Sequence, residues 1–257
     1  MNLNFSKYHG AGNDFIMIWN LDGSIQLTDE QIRRLCNRHM GIGSDGLILL
    51  ESCDSADFYV NFYNPDASQS FCGNGSRCAF KMAFDRGIIS EAAQFKAIDG
   101  MHEGIKKGDH WSIRMNDVHT MEAFQSGMFL NTGSPHIVLP VENLQDLDVV
   151  AEARKIRYSE RFALQGVNVN FVERVGQVLH IRTYERGVED ETLACGTGIT
   201  AAALAMAELG GEDTALLQVR ARGGDLEVAF AKCEGGYSDI WLTGPAVHVY
   251  DGQIEGV

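Results

Sequence analysis

The chain has 257 residues with 35 acidic against 21 basic side chains, a formal charge of −14 and 45% hydrophobic residues. No basic footprint is available to neutralise phosphates, so nucleic acid is excluded as the expected partner, and an acidic surface disfavours anionic membranes. The length suffices for one large or two small domains with buried cores, and 28 glycines against four prolines point to many tight turns rather than long linkers.

From the N-terminus, Phe5–Tyr8 reads as a strand, His9-Gly10-Ala11-Gly12-Asn13 as a turn and Phe15–Trp19 as a second strand. Thr28-Asp29-Glu30-Gln31 is a capping box opening a helix that carries Ile32, Leu35 and Cys36. Gly46–Leu50 and Phe58–Tyr63 follow, with the β-branched and aromatic content of strands. Cys72-Gly73-Asn74-Gly75 then leads into Ser76–Phe84, a helix-forming stretch of little polarity that should stop at Gly87. Gln94–Ile98, the turn Asp99-Gly100 and Trp111–Met115 close this half.

The programme then repeats. Met128–Leu130, the turn Asn131–Ser134 and His136–Leu139 come first, then a weaker helix near Leu147–Ile156. Val167–Glu173 and Val178–Tyr184 are strands, and Cys195-Gly196-Thr197-Gly198 opens the apolar helix Ile199–Ala207, capped at Gly210. Leu216–Ala221, the turn Gly223-Gly224 and Ile240–Leu242 finish the second half. The fold class predicted is α+β: two pseudo-symmetric domains, each a mostly antiparallel curled sheet around a central buried helix. The halves are 1–117 and 118–243, with a return of the tail 244–257 to the first half left open.

The start, Met1–His9, carries no apolar core of signal-peptide length, and no apolar run approaches the ~20 residues of a membrane span. Six cysteines without an export signal are expected as thiols in a reducing cytoplasm, free for chemistry. A cysteine at a helix N-terminus feels the positive end of the dipole, which favours its thiolate. A Gly-X-Gly turn aims backbone N–H groups at a ligand and can cradle a carboxylate without Lys or Arg. Two such turns, one in each half, suggest Cys72 and Cys195 meeting one α-carbon from opposite faces, one removing the proton and the other returning it. One Cys-Gly-X-Gly alone would be structural in most chains, because cysteine packs well in cores; the matched pair is what carries the reading.

These motifs closely resemble the diaminopimelate epimerase family over nearly the whole chain. The resemblance rests on His9–Phe15, Gly41–Gly46, Asn64-Pro65-Asp66, Cys72–Cys78, Ser134-Pro135-His136, Asn168-Val169-Asn170, Glu185-Arg186-Gly187 and Glu191–Gly198, all in order. It implies that Cys72 and Cys195 transfer the proton, with His136 and Glu185 as polar neighbours that tune them. It implies that Gly73, Asn74, Gly196 and Thr197 hold the reacting carboxylate. Asn13, Asn64, Asn168, Glu185 and Arg186 would recognise the substrate and its distal end, Arg186 suiting a second carboxylate. It further implies no cofactor, a homodimer, and a place in lysine and peptidoglycan precursor synthesis. Ser134 stands where the family often has Asn, Gly46 where some members have Gln, and Ala67 where Gly is usual. The stretch from Asn64 to Cys72 is one residue short and that from Glu185 to Cys195 one long, which bears on substrate specificity before chemistry.

Other readings carry less. Gly10-X-Gly12 lacks a third glycine and precedes a strand, and no Walker lysine follows Gly196-Thr197-Gly198. No Cys-X-X-Cys exists, so no metal is expected, and Cys36, which shares a helical face with His39, is read as core. His102, His110 and His119 are placed in polar turns. A two-cysteine racemase for another amino acid, a thiol redox protein and an inactive amino-acid-binding module stay open at this point.

Overall fold

The computed structural model describes residues 2–211 and 215–256. The chain divides into two compact units, Met1–Ile113 with Gly244–Val257, and Arg114–Thr243. In chain order the elements of the first half are β1 (Leu3–Gly10), β2 (Asn13–Asn20), α1 (Asp29–Cys36), β3 (Gly46–Glu51), β4 (Phe58–Tyr63), α2 (Gly73–Asp85), β5 (Ala92–Ala97), β6 (Gly100–Lys107) and β7 (His110–Arg114). Then come β8 (Met121–Phe124), β9 (Gly127–Asn131), β10 (Pro135–Pro140), α3 (Val149–Arg157), β11 (Asn168–Val175), β12 (Val178–Glu185), β13 (Asp190–Thr192) and α4 (Gly196–Gly210). The last are β14 (Leu216–Ala221), β15 (Gly224–Cys233), β16 (Gly236–Gly244) and β17 (Val247–Ile254).

Both units run through one order of pairings. In the first, β17, β1 and β2 are antiparallel, β2 is parallel to β3, β3 antiparallel to β4, β4 parallel to β5, and β5, β6 and β7 antiparallel again. In the second, β8, β9 and β10 are antiparallel, β10 is parallel to β11, β11 antiparallel to β12, β12 parallel to β14, and β14, β15 and β16 antiparallel. A parallel pair cannot be joined by a hairpin and needs a crossover. In each unit the two crossovers are where the helices lie: α1 and α2 in one, α3 and α4 in the other.

The helices differ in burial because the strands have two faces. In the first unit Leu3, Phe5, Ile16, Ile18, Leu47 and Leu49 pack on Ile32, Leu35 and Cys36 of the amphipathic α1. The opposite parity, Tyr8, Phe15, Met17, Ile48 and Leu50, joins Phe58, Val60, Phe62, Phe95 and Trp111 around α2. With side chains from β1 to β5 and from β7 turned toward it, α2 is buried along nearly its whole length. In the second unit α3 covers Ile137, Leu139, Val169 and Phe171, and α4 is buried from Gly196 to Ala205.

Local signals behave as their chemistry dictates. Thr28 caps α1, accepting from Gln31 N at 3.3 Å while Gln31 Oε1 accepts from Thr28 N at 2.8 Å. Gly87 takes φ 74° after α2, whereas Gly210 is still helical and Gly211, at φ 61°, makes the left-handed cap of α4. Two expectations need correction. His102 is not in a polar turn: it lies on β6, 4% exposed, stacked on Phe71 at 4.3 Å and Phe95 at 5.3 Å, with Nε2 2.8 Å from Asp99 Oδ1. His39 falls beyond the end of α1 and so shares no helical face with Cys36.

Ala67 adopts φ 70° in the loop after β4. A side chain with a Cβ costs roughly 1–2 kcal/mol there, part of which glycine would forfeit through the freedom of its unfolded chain. Ala67→Gly is therefore expected to raise unfolding free energy by about 0.5–1 kcal/mol, measured by urea denaturation; a loss of stability would contradict the strain.

Candidate active site

In the first unit Cys72 is the N-cap of α2, with extended backbone (φ −133°, ψ 107°) and its Sγ 3.4 Å from the Gly75 N–H that donates to it. Gly73 and Asn74 form the first helical positions, where backbone N–H groups lack helical partners. The amides around the sulfur are oriented in one sense. Arg77 Nη2 donates to Asn74 Oδ1 at 2.7 Å, so Asn74 Nδ2 donates to Asn13 Oδ1 at 3.1 Å and Asn13 Nδ2 to Asp45 Oδ2 at 2.8 Å. Asn13 Oδ1 thereby faces Cys72 Sγ at 3.9 Å as an acceptor.

Behind Asn13 lies an ionic network. Arg38 bridges Asp14 and Asp45 at 2.7 Å each, and the buried Lys7 reaches Asp14 at 2.6 Å and the Gly43 carbonyl. Burial works against the Asp14 carboxylate, but hydrogen bonds from Arg38 and Lys7 hold its pKa down at about 2. A carboxyl lowered on folding adds stability above its unfolded pKa and loses it as pH falls toward the folded one. Asp14→Asn should cost at least about 2 kcal/mol at pH 7. That gap should shrink as pH falls from about 4 toward 2, which urea titrations at pH 7 and pH 3 would show. Asn64 stands apart: its Nδ2 is taken up by Ser68 O, Ser68 Oγ and Ser70 Oγ at 3.1, 3.1 and 3.2 Å, shaping its own loop.

In the second unit Cys195 is the N-cap of α4 (φ −116°, ψ 110°) and only 7% exposed. Its Sγ lies 3.4 Å from Thr197 Oγ1, which is 2.9 Å from His136 Nε2. Asn170 donates through Nδ2 to Ile137 O at 2.9 Å and accepts at Oδ1 from Thr183 Oγ1 at 2.9 Å, which fixes its amide. Asn170 Nδ2 also sits 3.1 Å from His136 Nδ1, so that nitrogen accepts, and Nε2 carries the proton toward Thr197. Burial, and then the Arg186 charge, push the His136 pKa down to about 3. The imidazole is neutral near pH 7 and orients the Thr197 hydroxyl toward the sulfur.

Asn168 accepts at Oδ1 from Arg186 N at 2.8 Å and donates to Ser134 Oγ at 3.0 Å. The Arg186 guanidinium is steadied by Gln165 O at 2.8 Å and Ser134 Oγ at 3.4 Å, and its exposed side chain crosses Gly166, where a Cβ would stand 2.5 Å from Arg186 Cδ. Glu185 ends β12, half-buried, its carbonyl accepting from Glu189 N at 2.8 Å. Gly196 opens α4 beside Thr197. The structure thus gathers Asn13 and Asn74 at Cys72, and Thr197 and His136 at Cys195, with Asn168 also 3.4 Å from His136 Nε2. Of the other cysteines, burial raises the Cys36 thiol and pushes Cys78 up to about 12.

The family model for diaminopimelate epimerase matches residues 5–116 and 128–249. The chain belongs to the diaminopimelate epimerase family. The diaminopimelate epimerase of Flavobacterium psychrophilum is 45% identical, covering 96% of this chain and 98% of that one. That of Chlorobaculum tepidum is 43% identical, covering 95% and 98%. Among solved structures, a phenazine biosynthesis protein of the PhzF family from Bacillus anthracis superposes with a TM-score of 0.77 at 16% identity over 99% of both chains, a likeness of fold alone. Diaminopimelate epimerases are isomerases that need no pyridoxal phosphate.

Sequence reasoning quoted Arg77 and Asn170 within motifs but gave them no role. Both act from buried positions on residues it had chosen. A polar residue inside an otherwise apolar helix or strand is the signal that could have found them.

Proposed function

We infer that this chain interconverts the LL and meso isomers of diaminopimelate by two-base proton transfer through Cys72 and Cys195, without a cofactor. The observation that carries the reading is that each cysteine is the N-cap of a buried helix that its unit's sheet encloses. An α-proton is far less acidic than a thiol; a gap of ten pKa units amounts to roughly 14 kcal/mol before stabilisation. Helix N-termini and backbone N–H groups turned toward the substrate carboxylate supply that stabilisation as charge spreads onto its oxygens. One thiolate takes the proton and the opposing thiol returns one to the other face, which inverts the centre.

The carboxylate contacts fall to Gly73, Asn74, Gly196 and Thr197. Arg186, steadied by Gln165 and Ser134, fits a second carboxylate at the distal end of the substrate. Asn13, Asn64, Asn168 and Glu185 complete recognition, with His136 acting through Thr197. No helix among the described residues is long and apolar enough to cross a membrane. The reading places the chain in the cytoplasm as a homodimer, in lysine and peptidoglycan precursor synthesis.

Purified protein given LL-diaminopimelate under reducing conditions, with no added cofactor, should generate the meso isomer, read by chiral chromatography. Proline and other amino acids with no distal carboxylate should stay unchanged. Inversion of those and not of diaminopimelate would replace this reading with a racemase of another substrate.

A further inference from the structure

Arg77 lies on α2, five residues past Cys72, and is 0% exposed. Its polar contacts are with neutral groups: Nη2 with Asn74 Oδ1 at 2.7 Å and Nε with Pro245 O at 3.4 Å. Its Nη1 has no hydrogen-bond partner among the described residues. Gly10 makes room for it, since a Cβ there would stand 3.3 Å from Arg77 Nη2 and 3.1 Å from Asn74 O. A buried guanidinium without a carboxylate is costly.

Burial lowers the Arg77 pKa to about 10, which leaves it charged near pH 7; working against that are Cys78, on α2, and Cys72, its N-cap. Cys78 is fully buried and stays protonated, with Lys81 the further charge near it. Among the described residues, none of the strands packed on α2, β1 to β5 and β7, presents a carboxylate that pairs with Arg77; Asp45 connects to it through Asn74 and Asn13. In the other unit Thr200 occupies the position five residues past Cys195, and its hydroxyl donates to Gly196 O at 3.1 Å. Among other differences, the two Cys-Gly-X-Gly turns therefore differ in this: five residues past the cysteine the first has a buried guanidinium and the second a hydroxyl.

We propose that Arg77 is a positioning residue of the Cys72 turn: it locks the amides of Asn74 and Asn13 from the core side, and its buried positive charge favours the Cys72 thiolate by more than the long Asn13 Oδ1 contact favours the thiol. This deepens the epimerase reading and rests on it for its purpose, but its test needs no substrate. The full chain, reduced, is alkylated with iodoacetamide across a pH series, and the Cys72 and Cys195 peptides are quantified by mass spectrometry. Arg77→Met should move the Cys72 midpoint up by at least about one pH unit, the effect of removing a nearby opposite charge, and leave Cys195 in place. Arg77→Lys should restore the Cys72 midpoint to within about a third of that shift. An unchanged Cys72 midpoint in folded Arg77→Met, or equal shifts at both cysteines, overturns the proposal.

Should Arg77→Met fail to fold, thermal melts of wild-type-Arg77 variants decide. Asp and Asn are alike as N-caps, and both turns share a helix dipole. Cys72→Asp should melt several degrees above Cys72→Asn, a difference larger than that between Cys195→Asp and Cys195→Asn. Equal differences at the two positions overturn the proposal as well. Loss of diaminopimelate turnover in the wild-type protein would instead count against the function on which it rests.

Discussion

Cys72→Ala and Cys195→Ala are each expected to slow diaminopimelate epimerisation by at least about 10³-fold, within the range that positioned proton-transfer groups contribute. Inversion needs both a base and an acid, so neither half of the duplicated fold can work alone. Each variant should fold: the sulfur contacts are long, 3.4 Å from Gly75 N and 3.9 Å to Asn13 Oδ1 at Cys72, and 3.4 Å to Thr197 Oγ1 at Cys195. Loss of a cap of this kind costs on the order of 1 kcal/mol. Initial rates by chiral chromatography, beside melting temperatures, check both halves of the expectation. A folded variant retaining a tenth of the wild-type rate would show that its sulfur is not a proton carrier. The same measurement separates a thiol redox protein, which has no isomerase activity to lose.

Gly198→Ala is expected to cost about 2–4 kcal/mol of stability and most of the activity, whereas Gly75→Ala should cost less than about 1 kcal/mol. These glycines hold the same place in the two Cys-Gly-X-Gly turns, yet their surroundings differ. A Cβ on Gly198 would stand 2.5 Å from Asn170 Oδ1 and 3.3 Å from both Cys195 Cβ and His136 Cε1. Asn170 cannot retreat without dropping its bonds to Ile137 O, Thr183 Oγ1 and His136 Nδ1, all buried. On Gly75 the near contact is Ile48 Cδ1 at 2.8 Å, the far end of a flexible side chain, and Cys72 is an ordinary 3.5 Å away. Alanine's better helix propensity offsets part of that cost. Chemical denaturation of the two variants side by side gives the answer; equal losses would mean that the buried amide network does not constrain the second turn.

That contrast also shows what the sequence made legible. Two Cys-Gly-X-Gly turns opening apolar stretches placed both cysteines at helix N-termini, because an alanine- and methionine-rich run following glycines has few other ways to fold. Reading Gly75 and Gly198 as room for a ligand missed their packing, since a contact with Ile48 or Asn170 depends on strands far away in the chain. The strand β17 was not legible either. Val247 to Asp251 are all exposed, so no alternation marks them, and their membership comes from backbone pairing with β1. His102 looked polar by its neighbours, yet it packs between two phenylalanine rings, one from β5 and one beside Cys72. The site residues split along the same line. Asn13, Asn74, Thr197 and His136 were named from motifs and lie at the sulfurs, while Arg77 and Asn170, which hold them in orientation, show in the sequence only as polar residues in apolar stretches, their partners being set by the fold.

Isotope incorporation in heavy water, started from one pure isomer and stopped at low conversion, bears most directly on two thiols sharing one α-carbon. If one thiolate removes protium while the other, already exchanged with solvent, delivers deuterium, the product isomer carries deuterium and the recovered starting isomer carries almost none. Deuterium entering the starting isomer as fast as product forms, or protium carried across into the product, would mean that a single base does both jobs and would contradict the account.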